Sequence, residues 1–443
     1  MNLRRWLSPG IGIKRWLLVV FVGMLLLALA VAHTLRQISQ DLEPGGIAGS
    51  LIDVLTLQFL PYPLRGVIVG TVGVAIVVYG SVRVIRAFMD PFRSTDGEQP
   101  LVEVIYQKRF LARGPRVVAF GGGTGLSTLL RGLKEHTSNL TAVVTVADDG
   151  GSSGVLRDGL GIPPVGDIRN CIAALADAEP LMSEVLQYRF PMSGDAAAPG
   201  VPGLGGHAVG NLLIAAMTAV EGGDFEEGIR TLNRILAVRG QVLPATATPL
   251  TLHARLRDGT VIDGQSTIMR TTGIERVWLT PDDVRPSDDV LAAIAEADLI
   301  VLGPGSLYTS LLPSLLIPGI REALLASSAL RVFVCNVATQ EGETEDLDLA
   351  GHVEALVAHT APAIADLVLA NNQFEARVPE GWLSRPVRLR WPPAISPVPK
   401  LVLEALVDPG NAHHHDPGRL ADSLLRVFEA EGSARRRTVA RTA

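Results

Sequence analysis

Val117-Val118-Ala119-Phe120-Gly121-Gly122-Gly123-Thr124-Gly125-Leu126-Ser127 opens the globular part of the chain. Its valine-rich start reads as a short buried strand, and Leu129, Leu130 and Leu133 then recur at helical spacing. Between them stand four glycines in five positions. Strand, glycine turn and helix in immediate succession make the first half of a βαβ unit, with the turn at the helix N-terminus. Glycines let backbone N–H groups approach an anion closely, the helix end adds partial positive charge, and Thr124 and Ser127 bring hydroxyl donors. The spacing matches neither G-x-G-x-x-G nor the P-loop with its terminal Gly-Lys-Ser/Thr. The alternative is a purely structural tight turn.

Working outward, short apolar runs at Ala142 to Ala147, Leu299 to Leu302, Arg331 to Asn336 and Leu367 to Ala370 alternate with longer Ala/Leu-rich amphipathic stretches. Continuously apolar strands belong to a sheet covered on both faces. The fold class is therefore α/β, a doubly wound Rossmann-like parallel sheet. Residues from about 243 to 286 read as a small β-rich insertion, with Thr246, Thr248, Thr251, His253 and Arg255 alternating before an Asp258-Gly259 turn. Pro191 to Gly206 is a loop rich in Gly, Pro and Ala.

Four further motifs follow strands or open helices. Asp148-Asp149-Gly150-Gly151-Ser152-Ser153-Gly154, with Arg157 beyond it, ends the second strand, where ligands of open α/β sheets sit. Asp148 and Asp149 are expected to bind a ribose hydroxyl or, with phosphate oxygens, Mg²⁺, the alternative being side-chain caps of the next turn. In Gly166-Asp167-Ile168-Arg169-Asn170, Asp167 is the expected N-cap and Arg169 a bidentate phosphate ligand or a surface residue. His207 and Asn211 are expected one helical turn apart on one face. Gly303-Pro304-Gly305-Ser306-Leu307-Tyr308 repeats the strand, glycine turn and helix arrangement as a second anion cradle. Two cradles on one sheet edge suit a ligand with two recognised ends, such as a nucleotide diphosphate and its appended group. No nucleophile elbow, kinase set or H-E-x-x-H motif is present in the sequence.

The chain has 443 residues, 47% hydrophobic and 19% charged, with a formal charge of -6 that gives no general pull toward nucleic acid. Two cysteines, Cys171 and Cys335, fit a reducing compartment. A mean hydropathy of +0.30 points to two uncharged apolar runs near the start. We expect residues 1–90 to form a membrane anchor with transmembrane helices over about 16–35 and 64–82. A linker over 91–114, the α/β domain over 115–430 and a basic tail over 431–443 follow. Arg4, Arg5, Lys14 and Arg15 before the first run, and Arg83 and Arg86 after the second, place both ends and the main domain in the cytoplasm. The competing reading of the first run is a leader cleaved at Ala30-Val31-Ala32.

Taken in order, the motifs Gly-Gly-Gly-Thr-Gly-Leu-Ser, Ala-Asp-Asp-Gly-Gly-Ser-Ser-Gly, Gly-Asp-Ile-Arg-Asn-Cys, Gly-His-Ala-Val-Gly-Asn-Leu and Leu-Gly-Pro-Gly-Ser-Leu-Tyr-Thr-Ser resemble the bacterial gluconeogenesis factor family. That family is similar in fold to 2-phospho-L-lactate transferase. The resemblance implies a nucleotide-diphosphate pocket, a UDP-sugar such as UDP-N-acetylglucosamine as ligand, no required cofactor, and a role in cell shape and wall synthesis on gluconeogenic carbon. Cell-wall synthesis proteins and a second copy of the chain are the implied partners, beside the membrane. A Mg²⁺-dependent transferase is the alternative. By motif match the resemblance implies pocket roles for Gly122, Gly123, Thr124, Gly125, Asp148, Asp149, Arg169, Asn211, Gly303 and Ser306, and the motifs themselves add Gly121, Ser127, Ser152, Ser153, Arg157, Asp167, Asn170, His207, Gly305 and Tyr308 as candidate binding residues. His414 stands where relatives carry a basic residue before His-Asp, here His415-Asp416.

Overall fold

The computed structural model describes residues 110–442, apart from 177–178, 193–202, 377–380 and 382. Before residue 110 it describes Met24, Ala28, Pro61, Leu64, Thr71, Ala75, Val77 and Tyr79, all helical except Pro61. The chain divides into two compact units, Met1–Arg109 and Phe110–Ala443. Among the described residues no helix is long and apolar enough to cross a membrane. The two expected spans lie almost wholly outside the described residues.

The second unit is built on seven parallel strands: β1 (Val117–Gly121), β2 (Leu140–Val144), β3 (Gln241–Pro244), β7 (Leu299–Leu302), β8 (Leu330–Val334), β9 (Leu367–Asn371) and β10 (Lys400–Glu404). Across the sheet they follow the order β10-β9-β8-β7-β1-β2-β3. Every residue of β1, β2, β7 and β9 is buried, as a sheet with helices on both faces requires. The edge strands β3 and β10 lay outside the clearest apolar runs, and their exposed residues explain why: Gln241, Lys400 and Leu403 face solvent.

The order winds outward from the centre in both directions. The chain passes from β1 to β2 and β3 on one side, then returns to β7 and continues through β8, β9 and β10 on the other. Right-handed crossovers that run in opposite directions deposit their helices on opposite faces. On one side α1 (Gly123–Leu133) packs beside α3 (Gly166–Leu175) and the terminal α12 (Pro417–Thr442). Elsewhere α8 (Asp288–Glu296) packs on α10 (Pro318–Ala326). The arginine-rich tail expected over 431–443 continues the helix α12 to Thr442.

The β-rich insertion is a three-stranded antiparallel sheet made of β4 (Thr251–Leu256), β5 (Val261–Asp263) and β6 (Ile274–Thr280), with β4 in the middle. Asp258-Gly259 forms the expected turn between β4 and β5. The short helix α7 (Gln265–Ile268) sits between β5 and β6. Asp149, just after β2, accepts a hydrogen bond from the Ser266 amide at 2.8 Å, and Gly342, beyond β8, lies against the backbone of Met269 and Arg270. The insertion is thus tied to loops at the carboxyl ends of two strands and roofs that edge of the sheet.

Strand register brings Phe120 level with Val143 and Leu302, so the turns after β1, β2 and β7 leave the sheet together. The turns after β1 and β7 meet backbone to backbone. A Cβ added at Gly125 would stand 2.6 Å from the Pro304 carbonyl oxygen and 2.8 Å from the Gly305 Cα. We expect Gly125→Ala to lower the free energy of unfolding by about 1–3 kcal/mol through this overlap. Gly159→Ala, on the exposed side of α2 (Gly151–Leu160) with nothing within 4 Å of the added carbon, should instead raise it by up to about 1 kcal/mol. Urea unfolding of both variants checks the contrast.

Candidate functional site

The site lies where the strand order reverses. β1 is hydrogen-bonded to β2 on one side and β7 on the other, and its neighbours' chains depart in opposite directions. Open α/β sheets bind ligands in the crevice outside such a switch point. Gly123 has φ +59, a left-handed conformation that opens α1 directly after the strand. Its amide donates to the Asp167 carboxylate, so a protein group already occupies the first N–H of the turn. Thr124 is exposed at the mouth, and the amides of Thr124 and Gly125 belong to the first helical turn, which has no carbonyl behind it to accept them. Ser127 is turned inward, and its hydroxyl donates to the Gly123 carbonyl at 2.8 Å.

Opposite this turn is a polar cluster drawn from four helices. Asp148, after β2, accepts hydrogen bonds from the Gly150 amide at 3.0 Å and from Ser153. Arg169 on α3 is only 5% exposed. It donates to Asn211 Oδ1 at 2.9 Å and Asn170 Oδ1 at 3.0 Å, and its Nε is buried without a partner. Asn211, 1% exposed on α5 (Val209–Val220), donates in turn to Ser152 Oγ at 2.9 Å, and Ser152 Oγ lies 3.0 Å from His207 Nδ1. Gln187 Nε2 closes the network on Asn170 Oδ1 at 2.6 Å. His207 precedes α5 rather than sharing a helical face with Asn211, but Ser152 joins the two.

Two expectations about the acids are corrected. Val165, not Asp167, is the N-cap residue of α3, because the Asp167 carboxylate crosses to the amide of Gly123. Asp149 does not face the same point as Asp148, because its carboxylate turns to the insertion and caps α7 through Ser266. The charge of Asp148 acts on Asp167, and that of Asp149 acts on Asp148. Burial, with Asp148 nearby, pushes the Asp167 carboxyl up to about 7, and burial also raises Asp148. Burial, with Arg189 adding to it, draws Arg169 down, against the pull of both acids. Among the described residues no group of three or more His, Cys, Asp or Glu is arranged to hold a metal.

The second turn is built differently from the first. Gly305 donates its amide to Asn336 Oδ1 at 3.1 Å and accepts from Asn336 Nδ2 at 2.9 Å. Ser306 Oγ donates to Gln340 Oε1 at 2.6 Å. Glu343 Oε1 accepts from the amides of Tyr308 and Thr309 at 2.7 and 3.0 Å. The amides expected to receive an anion are therefore taken by Asn336 and by a buried internal carboxylate. Asn336, Gln340 and Glu343 had no motif of their own; their signal was a polar, glycine-containing stretch directly after a buried strand. Gly303, with φ +80, shapes the turn.

Three other candidates lie apart from the crevice network. Arg157 donates to Thr251 Oγ1 at 3.1 Å and ties α2 to the insertion. Tyr308 packs edge-on against His359, with ring centroids 5.6 Å apart. His414 is exposed on β12 (Asn411–His415), which pairs with β11 (Val407–Asp408) and packs on α1.

The raised Asp167 carboxyl has a consequence for stability. Between its ordinary 3.8 and about 7 the folded protein binds the proton more tightly than the unfolded chain does. Stability from this group is then highest below that window and declines as pH rises through it. Asp167→Asn keeps an acceptor for Gly123 and removes the titration. From pH 5 to pH 8 the unmodified chain should lose stability relative to this variant in urea titrations, and parallel profiles would refute the assignment.

Residues 117–385 match the family of 2-phospho-L-lactate transferase CofD. The gluconeogenesis factor of Bacillus subtilis is 48% identical over 264 residues, covering 59% of this chain and 80% of that protein. A Deinococcus radiodurans relative, a putative gluconeogenesis factor, is 36% identical over 457 residues, covering 96% of this chain and 90% of its own length. A crystal structure of a Bacillus halodurans protein at 2.60 Å resolution superposes with a TM-score of 0.63 at 41% identity, covering 71% of this chain and 99% of that one. Sequence and fold agree: the chain belongs to the gluconeogenesis factor family, built on a CofD-type domain.

Proposed function

We propose that this chain is a membrane-tethered, cytoplasm-facing regulator that binds a UDP-sugar such as UDP-N-acetylglucosamine and links gluconeogenic carbon supply to cell-wall synthesis and cell shape. One observation carries the ligand class. At the switch point Asp167 links the first turn of α1, where Thr124 is exposed, to a buried Arg169 whose Nε has no hydrogen-bond partner among the described residues. Helix amides and a guanidinium are complementary to phosphate oxygens, and a buried donor without an acceptor gains a full hydrogen bond when an anion arrives. The two apolar runs and their flanking arginines support the tether.

A transferase acting on a nucleotide-diphosphate-activated donor is the second reading, and the facing acids Asp148 and Asp167 favour it. Two carboxylates raised by burial, Asp167 further by the charge of Asp148, are hard oxygen donors of the kind Mg²⁺ takes, and such a cation would supply positive charge toward phosphate oxygens. Asp148 is held for that role by Gly150 and Ser153, and Asp167 by Gly123.

Calorimetric titration of the full chain with UDP-N-acetylglucosamine and with GDP, each with and without Mg²⁺, tests the two readings. The regulator requires UDP-sugar binding without turnover; absence of any UDP-sugar affinity refutes it. Arg169→Met should weaken UDP-sugar binding by about 10-fold to 100-fold, the loss of one to two charge-assisted hydrogen bonds. Thr124→Ala should weaken it about 3-fold to 10-fold with unchanged thermal stability, because its exposed hydroxyl has no hydrogen-bond partner among the described residues.

A further inference from the structure

The helix α5 begins without a side-chain cap: Ala208 precedes it, and the buried amide of Gly210 in its first turn has no hydrogen-bond partner among the described residues. Three segments meet at Gly210. A Cβ added there would stand 2.6 Å from Arg169 Cγ, 2.8 Å from Arg169 Cδ and 3.0 Å from the carbonyl oxygen of Leu186, in the last turn of α4 (Glu179–Gln187). The stem of the buried Arg169 therefore lies across the start of α5, and its unpartnered Nε is one bond beyond the Cδ in that contact. A free amide at a helix N-terminus beside a guanidinium donor without an acceptor is suited to an anion.

A second guanidinium is carried to the same place. After α4 the chain pairs with the approach to α5: the Val209 amide donates to the Tyr188 carbonyl at 2.9 Å, the Phe190 amide to the His207 carbonyl at 3.1 Å, and the Gly206 amide to the Phe190 carbonyl at 2.8 Å. Arg189 stands in the middle of this ladder, paired with Ala208, and its Nη1 donates to the Gly206 carbonyl at 2.9 Å. It is exposed and makes no ion pair with a described acid. Its charge nevertheless reaches Arg169, which Asp148 and Asp167 pull in the opposite sense, so the uncompensated charge is that of Arg189. Two guanidinia that repel each other lose that repulsion when an anion sits between them, and Arg189 keeps donors beyond the one given to Gly206. Arg189 lies outside every motif of the sequence.

We propose that Arg189 and Arg169 form a diphosphate-binding pair at the start of α5, with Arg189 as the exposed second guanidinium that grips the bound nucleotide. The inference rests on the nucleotide-sugar reading for the identity of the ligand and on the geometry around Gly210 for the anion site itself. A diphosphate offers two phosphoryl groups, one for each guanidinium, and planar guanidinium forks match phosphate oxygens two at a time.

The test titrates the full chain with UDP-N-acetylglucosamine, UDP and inorganic pyrophosphate, for the unmodified protein, Arg189→Gln and Arg189→Lys, with thermal unfolding as the folding control. Arg189→Gln keeps a side-chain donor for the Gly206 carbonyl and removes the charge. It should unfold at the same temperature and bind all three ligands about 3-fold to 30-fold more weakly, as expected for one lost charge-assisted hydrogen bond at an exposed position. Arg189→Lys should recover part of that loss, and added salt should narrow the gap between Arg189→Gln and the unmodified protein. Unchanged affinity of Arg189→Gln for all three ligands, or a loss confined to UDP-N-acetylglucosamine, would overturn the pair while leaving the nucleotide reading in place. Binding of pyrophosphate without either nucleotide, weakened by Arg189→Gln, would instead overturn the nucleotide reading and leave the anion site standing. Binding of none of the three by the unmodified chain would remove both. Should Arg189→Gln fail to fold, Arg189→Lys decides alone: it keeps the charge but not the fork, and unchanged affinity for UDP and pyrophosphate would overturn the pair.

Discussion

The backbone contact between the two glycine turns is the constraint on which the rest of the site depends. Gly125 touches Pro304 and Gly305 because β1 and β7 are adjacent, in register, and end together. Any side chain at Gly125 would push the turns apart and with them the starts of α1 and of the helical segment after Ser306. Parallel strands leave no other place for the chain to reverse its order, so the contact is also the centre of the switch point. Glycine appears there because two main chains must pass within contact distance, independently of any ligand.

Two helical starts pressed together would present unpaired amides and like partial charges to one small volume. The protein answers them with internal acids. Asp167 takes the Gly123 amide, and Glu343 takes those of Tyr308 and Thr309. Both carboxyls are raised to about 7 because the hydrogen bonds they accept offset only part of the desolvation. The answer is unequal. Glu343 is buried and consumes the second turn, whereas Asp167 takes one amide and leaves Thr124 open to the crevice.

Local pattern carried the sheet and the position of the site. The apolar runs of β1, β2, β7, β8 and β9 are buried on both faces and so are visible as uninterrupted hydrophobics, while β3 and β10 are edges whose polar residues hide them. Glycine turns mark themselves, because few residues substitute for them. What the pattern could not carry was direction. Asp148 and Asp149 are adjacent in the chain, and successive side chains in an extended segment point apart, so one meets Asp167 and the other caps α7. Asp167 reads as a cap for its own helix because the alternative acceptor role, on the amide of the distant Gly123, is a tertiary fact.

The same distinction explains why the two glycine turns look alike in sequence and differ in the folded chain. Each follows a buried strand and opens a helical segment, and nothing within either turn tells which one will be filled. The filling residue of the second comes from the loop after β8, the next strand in the sheet, and its polar run is long enough to bring Gln340 to Ser306 and Glu343 to Tyr308. The loop after β2 approaches the first turn with Asp148 and Ser152 directed to α3 and α5, not to the amides of α1. The first turn keeps its Thr124 end open to the crevice because only one of the two neighbouring loops carries an acid long enough to close its turn.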